Sequence, residues 1–131
     1  MGEISSVVSA EDKKAALKRV LESEQFVGGT PADRRRREML TLLYERSASD
    51  PPTIDSDELA KSLNCSKDTV RNDISDIRHI FLRDYYDMHR DDPVKMEIPE
   101  RRRGYRVIFK WRPVKALARR TAAPGIQSQP A

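Results

Sequence analysis

The sequence predicts a mainly α-helical domain that ends in a β-hairpin. Apolar residues recur at helical spacing on both sides of an Asn-Cys-Ser turn at residues 64–66, which indicates two helices joined by a tight turn. Residues 93–99 then alternate apolar and polar side chains, and residues 105–111 are rich in strand-forming types. A helix-turn-helix followed by such a hairpin is a winged helix-turn-helix.

Two further helices are predicted upstream, each marked by a capping residue. Ser9 with Asp12 resembles a capping box that begins a helix near residues 10–25. Thr30 and Pro31 mark the start of a second helix, which runs to about residue 47. The predicted inward faces are Ala16, Leu17, Val20 and Leu21 in the first helix and Met39, Leu40, Leu42 and Leu43 in the second.

The helix-turn-helix itself comprises the third and fourth helices. Asp55 or Ser56 is expected to cap the third helix, and Asn64 can adopt the left-handed conformation that ends it. Ser66 is expected to cap the fourth helix, which extends to about His89. The predicted buried stripe of this long helix is Val70, Ile74, Ile77 and Phe81.

Positive charge is concentrated at the C-terminal end of the chain, which has 131 residues and a net charge of +4. Residues 1–98 hold 16 Lys/Arg and 20 Asp/Glu, a net of −4, whereas residues 99–131 hold 9 Lys/Arg and one acid, a net of +8. This asymmetry indicates a polyanionic partner, with nucleic acid first. The alternative is a solvated tail that only aids solubility.

Composition also argues against several other functional classes. One cysteine and two histidines allow neither an internal disulfide nor a Cys/His zinc site, so no metal or cofactor is expected. No apolar run is long enough to cross a membrane, and the N-terminus is too polar for a signal peptide, which favours a cytoplasmic protein. No phosphate-binding glycine loop, nucleophile elbow or histidine–carboxylate base is recognisable, so an enzyme is not expected.

The exposed face of the fourth helix carries side chains suited to reading DNA. Arg71 can pair with guanine O6 and N7, and Asn72 with adenine N6 and N7. Asp68 can read cytosine N4 or stabilise the positive end of the helix dipole. The predicted DNA contacts of this helix are Ser66, Lys67, Asp68, Arg71, Asn72 and Ser75.

Acidic residues on the same helix leave a second interpretation open. Asp68, Asp73 and Asp76 match its three basic residues one for one, so a winged helix that docks a protein rather than DNA is the alternative. An accessory DNA-binding factor in recombination or mobile elements is a further possibility.

The run of four arginines at residues 34–37 covers all sides of its helix. One or two of them are candidates for backbone contact and the others for pairing with Asp33 or Glu38.

The turn of the hairpin, the wing, is strongly basic. Arg101, Arg102 and Arg103 precede Gly104, and three consecutive arginines at a turn favour contact with phosphates or with a narrow minor groove. Residues 1–9 and 113–131 are expected to be disordered or mostly so, the second as a basic tail, which leaves residues 10–112 as the domain. Tyr85, Tyr86 and Trp111 are interpreted as core or dimer contacts.

Residues 69–86, from Thr-Val-Arg-Asn-Asp-Ile to Tyr-Tyr, resemble the long helix of a bacterial winged-helix domain found at the N-terminus of adenylate-cyclase-like and tetratricopeptide signalling proteins. The Asp-Pro-Val-Lys-Met-Glu-Ile-Pro segment at residues 92–99 is similar to that family's strand, and Gly104-Tyr105 to its Gly-Tyr. The family's opening helix is matched by Leu17, Val20, Leu21, Ser23 and Phe26.

This resemblance spans roughly residues 15–110. It implies a transcription-factor-like DNA-binding role, and a dimer that reads a palindrome is the usual arrangement. Three departures are visible: these 131 residues contain no large C-terminal sensor module, the wing turn is longer and more basic, and the helix-turn-helix is cleaner. The prediction is therefore a bacterial transcriptional regulator of unknown effector.

Overall fold

A computed structural model describes residues 7–100 and 103–112 of the chain. Its helices are α1 (Ala10–Leu21), α2 (Pro31–Arg46), α3 (Ser56–Leu63), α4 (Lys67–Asp76) and α5 (Leu82–Met88), and a π-helical turn (Ile77–Phe81) joins α4 to α5 without a break. Strands β1 (Val94–Glu97) and β2 (Ile108–Trp111) pair antiparallel. Mainly helical with a C-terminal hairpin, the fold is the predicted winged helix-turn-helix.

Each predicted capping residue begins or ends its helix as expected. The side-chain oxygens of Ser9, Thr30, Asp55 and Ser66 accept hydrogen bonds from backbone N–H groups three residues on, at 2.8–3.1 Å. Asn64 ends α3 in the left-handed region, with φ 54° and ψ 53°. These caps depend only on neighbouring residues, which explains why they could be identified from sequence.

The N-terminal helix is shorter than the sequence predicted. It ends at Leu21 rather than near residue 25, and the Ser23 hydroxyl then donates to the carbonyl of Val20 at 2.6 Å. Two residues from the segment for which disorder was predicted take part in the fold. Val8 is buried against Ala16 and Val94, and Ser9 caps α1.

The long helix, which comprises α4, the π turn and α5, contains an irregularity that was not predicted. The N–H of Leu82 bonds to the carbonyl of Ile77, five residues back, so one extra residue is accommodated in that turn. The extra residue shifts the buried stripe, and Leu82 and Tyr85 reach the core while the predicted Phe81 is only partly buried. Phe81 packs its ring against Phe26, with centroids 5.6 Å apart.

The hairpin exists, but its strands are shorter than predicted. Pairing runs from Val94 opposite Trp111 to Glu97 opposite Ile108, so residues 105–107 do not continue β2. Tyr105 instead exchanges backbone hydrogen bonds of 2.8 and 2.9 Å with Ile54, just before α3. Gly104, at φ +69°, permits this change of direction.

Two of the three aromatic residues predicted to be core or dimer contacts lie in the core. Tyr85 and Tyr86 are buried, whereas Trp111 is 42% exposed at the end of β2, so for Trp111 the dimer contact stays a prediction. Asp92 is buried beside the tyrosines and accepts hydrogen bonds from Arg19 (2.8 and 3.0 Å) and from the Tyr85 hydroxyl (2.7 Å). This cluster ties α1 to the segment between α5 and β1.

Candidate nucleic-acid interface

The outward face of α4 presents the residues that the sequence singled out. Val70 and Ile74 point into the core, and Lys67, Asp68, Arg71, Asn72 and Ser75 are all exposed on the other side. Ser66 is also exposed, although its hydroxyl is engaged in capping the helix. Two turns of helix therefore offer amide, guanidinium, ammonium, hydroxyl and carboxylate groups to a partner.

The two cations on this face rest against neighbouring acids. Lys67 Nζ lies 3.2 Å from Asp57 Oδ1 on α3, and Arg71 pairs with Asp68 one turn back. The side chains of Lys67 and Arg71 are each 55% exposed. Because exposed pairs of this kind contribute only about 0.2–1 kcal/mol, an anionic ligand can replace either acid at little cost.

One of the three acids that made the helix look neutral is not on its surface. Asp73 is only 4% exposed, and its carboxylate accepts hydrogen bonds of 2.5 and 3.2 Å from Arg35 of α2. Arg36 approaches the same carboxylate at 3.9 Å. Asp73 therefore fastens the long helix to α2 and is not part of the exposed face.

The arginine run at residues 34–37 contributes structural contacts. Arg34 donates to the carbonyl of Gly29, and Arg37 donates to the carbonyls of Phe26 and Gly28. Arg36 pairs with Asp33 at 2.7 Å, a pairing that the sequence had offered as one of two. With Arg35 on Asp73, every arginine of the run has a partner within the fold, which favours the structural interpretation of this run.

The outward face of α4 and the wing border one open groove. Its volume is about 640 Å³, and it lies between the N-terminal end of α3, the outer face of α4 and the returning side of the wing. Arg71 and Arg103 both line it, together with Arg46, Pro51, Thr53, Asp55, Ser56, Glu58, Gly104 and Tyr105. Arg103 is exposed, while Arg101 and Arg102 lie outside the described residues.

The position of the wing depends on close packing at Gly104. A Cβ atom built on this residue would lie 3.1 Å from the Cβ of Thr53, and its φ of +69° disfavours any other residue type. The bridge between Ile54 and Tyr105 follows directly. Because that bridge brings the returning chain beside α3, it also brings Arg103 to the groove that Arg71 borders.

Across residues 7–100 and 103–112, His, Cys, Asp and Glu side chains form no group of three or more that could hold a metal ion. Within the same residues, helices that could cross a membrane are absent.

Three features define a winged helix-turn-helix domain of the DNA-binding class. They are the tight turn between α3 and α4, the exposed polar face of α4 and the basic wing. A family model described as the helix-turn-helix (HTH) domain matches residues 35–106, which is more than half of the chain. The chain therefore belongs to the helix-turn-helix domain family. No curated protein and no solved structure matches it.

Sequence reasoning overlooked the residues that hold this surface together. Arg78 was counted only as a charge on the helix, but its guanidinium donates to the carbonyls of Ile98 and Pro99 at the start of the wing. Arg35 and Asp73 were likewise read as surface charges. No local pattern distinguishes such residues, because their partners lie 20 to 38 positions away in the chain.

Proposed function

We propose that this protein is a bacterial, cytoplasmic transcriptional regulator that binds specific sequences in double-stranded DNA. The observation that carries the proposal is the shared groove, where Arg71 of the long helix and Arg103 of the wing face the same space. A winged helix in contact with DNA uses both elements on one segment of duplex, so their convergence supports DNA as the partner.

In this proposal α4 enters the major groove and its outward side chains contact base edges. Ser66, Lys67, Asp68, Arg71, Asn72 and Ser75 are the contacts, with Arg71 suited to guanine and Asn72 to adenine. The wing arginines, Arg101, Arg102 and Arg103, contact the backbone or the minor groove. The basic residues 113–131 add non-specific affinity, and a homodimer reading two half-sites is the proposed assembly.

Binding to genomic DNA fragments at two salt concentrations tests the proposal directly. The segment with net charge +8 would displace counterions from phosphates, so we expect tight binding at low salt and a steep loss of affinity as salt rises. Gel-shift titrations at about 50 and 200 mM salt measure this dependence. Undetectable binding at low salt, or an affinity that does not change with salt, would contradict the proposal.

A second candidate function is a protein-docking module, and one observation favours it. The two cations of the α4 face are paired with Asp57 and Asp68, so the face has mixed charge in the absence of a ligand. Such a face suits a partner protein with alternating charges. Failure of DNA binding together with an intact fold would make this the better assignment.

Replacing Arg71 or Asn72 with alanine should reduce sequence discrimination. Both are exposed on the face opposite Val70 and Ile74, so the substitutions remove base contacts without disturbing the core. We expect a loss of about 1–3 kcal/mol on the specific site and little change on random DNA. Titration against a selected site and a scrambled duplex measures both values.

Lys61→Ala is a suitable control, because Lys61 is an exposed residue of α3 and its replacement removes the same single positive charge as Arg71→Ala. It should leave the ratio of specific to random affinity unchanged. If the Arg71 and Asn72 variants lose equally on both duplexes, these residues contact the backbone or support the fold instead.

A further inference from the structure

The wing leaves the sheet at a point where the strand pairing has stopped. β1 pairs with β2 only as far as Glu97, opposite Ile108, so residues 98–100 lie beyond the ladder. On the returning side, Tyr105 is fixed by two backbone hydrogen bonds to Ile54. The departing side, residues 98–100, is defined here as the wing root.

The wing root is held by a side chain from the π turn of the long helix. Arg78 Nε donates to the carbonyl of Ile98 at 2.7 Å, and its Nη2 donates to the carbonyl of Pro99 at 3.3 Å. Its Nη1 also lies 3.9 Å from the carboxylate of Glu100. The Arg78 side chain is only 19% exposed, so these contacts are largely withdrawn from solvent.

The chemistry of arginine suits this position in a way that lysine does not. A guanidinium carries several N–H donors in one rigid plane, so it can bond two successive carbonyl oxygens at once. The ammonium of lysine is a compact charge on a flexible stem and would satisfy fewer of these acceptors in a fixed geometry. The Arg78 guanidinium therefore holds two consecutive peptide carbonyls in one fixed geometry.

We propose that Arg78 is a positioning residue that fixes the wing relative to the DNA-reading helix. Arg78 lies in the π turn that follows α4, and its guanidinium bonds to the wing root. It therefore connects the helix that carries the exposed polar face to the start of the wing. Arg78 on the departing side and the bridge between Ile54 and Tyr105 on the returning side together hold both ends of the wing, which keeps Arg103 beside the groove that Arg71 borders. This inference rests on the proposed DNA-binding function for its consequence, although the positioning itself concerns the protein alone.

The first test needs no DNA. Trypsin cleaves after arginine, and its rate at Arg103 reports how often the described end of the wing opens. We expect Arg78→Met to increase the rate of cleavage at Arg103 about tenfold relative to the unchanged chain. Arg83→Met is the matched control, because Arg83 is an exposed residue of the same long helix whose guanidinium contacts Asp84. It should leave wing cleavage unchanged.

The second test measures DNA binding over a salt series. Arg78→Met should weaken binding by about tenfold more than Arg83→Met, and it should lower the salt slope by about 0.9 or more, as loss of at least one phosphate contact requires. In a chain whose three wing arginines are already alanine, Arg78→Met should add no loss beyond that of Arg83→Met, because the contacts that it positions are gone.

The trypsin test and the DNA-binding test can each overturn the inference. Equal wing cleavage in the two methionine variants would overturn the inference, as would losses from Arg78→Met that add fully to those of the wing substitutions. If the unchanged chain binds no DNA, the proposed function fails while the trypsin rates still decide whether Arg78 positions the wing. Should Arg78→Met not fold, Arg78→Lys replaces it, and an unchanged cleavage rate in that variant would again overturn the inference.

Discussion

Replacing Asp92 with alanine is expected to lower the free energy of unfolding by about 3 kcal/mol, the low end of the range for removing one partner of a buried ion pair. Asp92 is 5% exposed and holds together Arg19, the Tyr85 hydroxyl and the backbone N–H of Val94. Its removal leaves the Tyr85 hydroxyl and this N–H without their acceptor. Arg19 remains partly hydrated, with its side chain 42% exposed, which keeps the loss from being larger.

Urea denaturation with circular dichroism measures this change, and the neighbouring acid supplies the control. Asp91 is exposed, so Asp91→Ala removes the same charge from the adjacent position without opening the core. We expect Asp91→Ala to alter stability by less than about 0.5 kcal/mol, as is usual for surface substitutions. Similar losses in the two variants would contradict the assigned role of Asp92.

The contribution of Asp92 to the free energy of unfolding should depend on pH. Burial acts to raise the pKa of Asp92, but the hydrogen bonds from Arg19, Tyr85 and Val94 outweigh it, and the pKa lies below the ordinary value of 3.8. The carboxylate therefore contributes its full stability above pH 3.8 and loses it as the pH falls through the lowered pKa. The difference in stability between the unchanged chain and Asp92→Asn should accordingly shrink in acid below that pH.

Local features of this fold were predictable and long-range ones were not. The caps at Ser9, Thr30 and Ser66 follow from side chains that bond to N–H groups three residues away, so the sequence alone contains the information. The ion pairs of Arg35 with Asp73 and of Arg19 with Asp92 join residues 38 and 73 positions apart. Charge patterns along one helix cannot reveal such partners.

The π turn shows how a small irregularity changes a correct periodicity. Val70, Ile74 and Ile77 follow regular helical spacing and are buried as predicted. The next buried residue is Leu82, five positions beyond Ile77, which a regular helix would not place on the same face. Regular helical spacing places the next buried residue four positions beyond Ile77, at Phe81. The helix was therefore predicted correctly, but the residues assigned to its buried face were wrong in the last turns.

The candidate interface was likewise predictable in its residue types and not in its arrangement. Exposed polar residues opposite a buried stripe can be identified by spacing, and Arg71 and Asn72 were found in that way. That Arg71 and Arg103 border one groove depends on the bridge between Ile54 and Tyr105, which joins residues 51 positions apart. That bridge ended the pairing expected for residues 105–107 in the hairpin.

Replacing Arg101, Arg102 and Arg103 together with alanine should cause the largest loss of DNA affinity. Up to three phosphate contacts would disappear, and each is expected to lower the salt slope by about 0.9. Phosphates carry no sequence information, so specific and random duplexes should lose affinity alike. Titration of both duplexes over a salt series measures the slope and the loss of specific affinity together.

A variant with three lysines replaced is the control for the loss of charge in the arginine variant. Lys13, Lys14 and Lys18 lie on α1, outside the residues that line the groove, so changing all three to alanine removes the same charge without touching the proposed contact surface. That variant should retain most of the salt slope, because only charges that meet phosphates release counterions on binding.

The sequence that flanks the binding site distinguishes two modes of wing contact. If the wing contacts the backbone, the arginine variant loses affinity equally on A·T-rich and G·C-rich flanks. If the wing lies in a narrow minor groove, the variant loses most affinity on A·T-rich flanks. An unchanged salt slope in the arginine variant would remove the wing from the binding surface and leave the α4 face and the basic residues 113–131 as the proposed contacts with DNA.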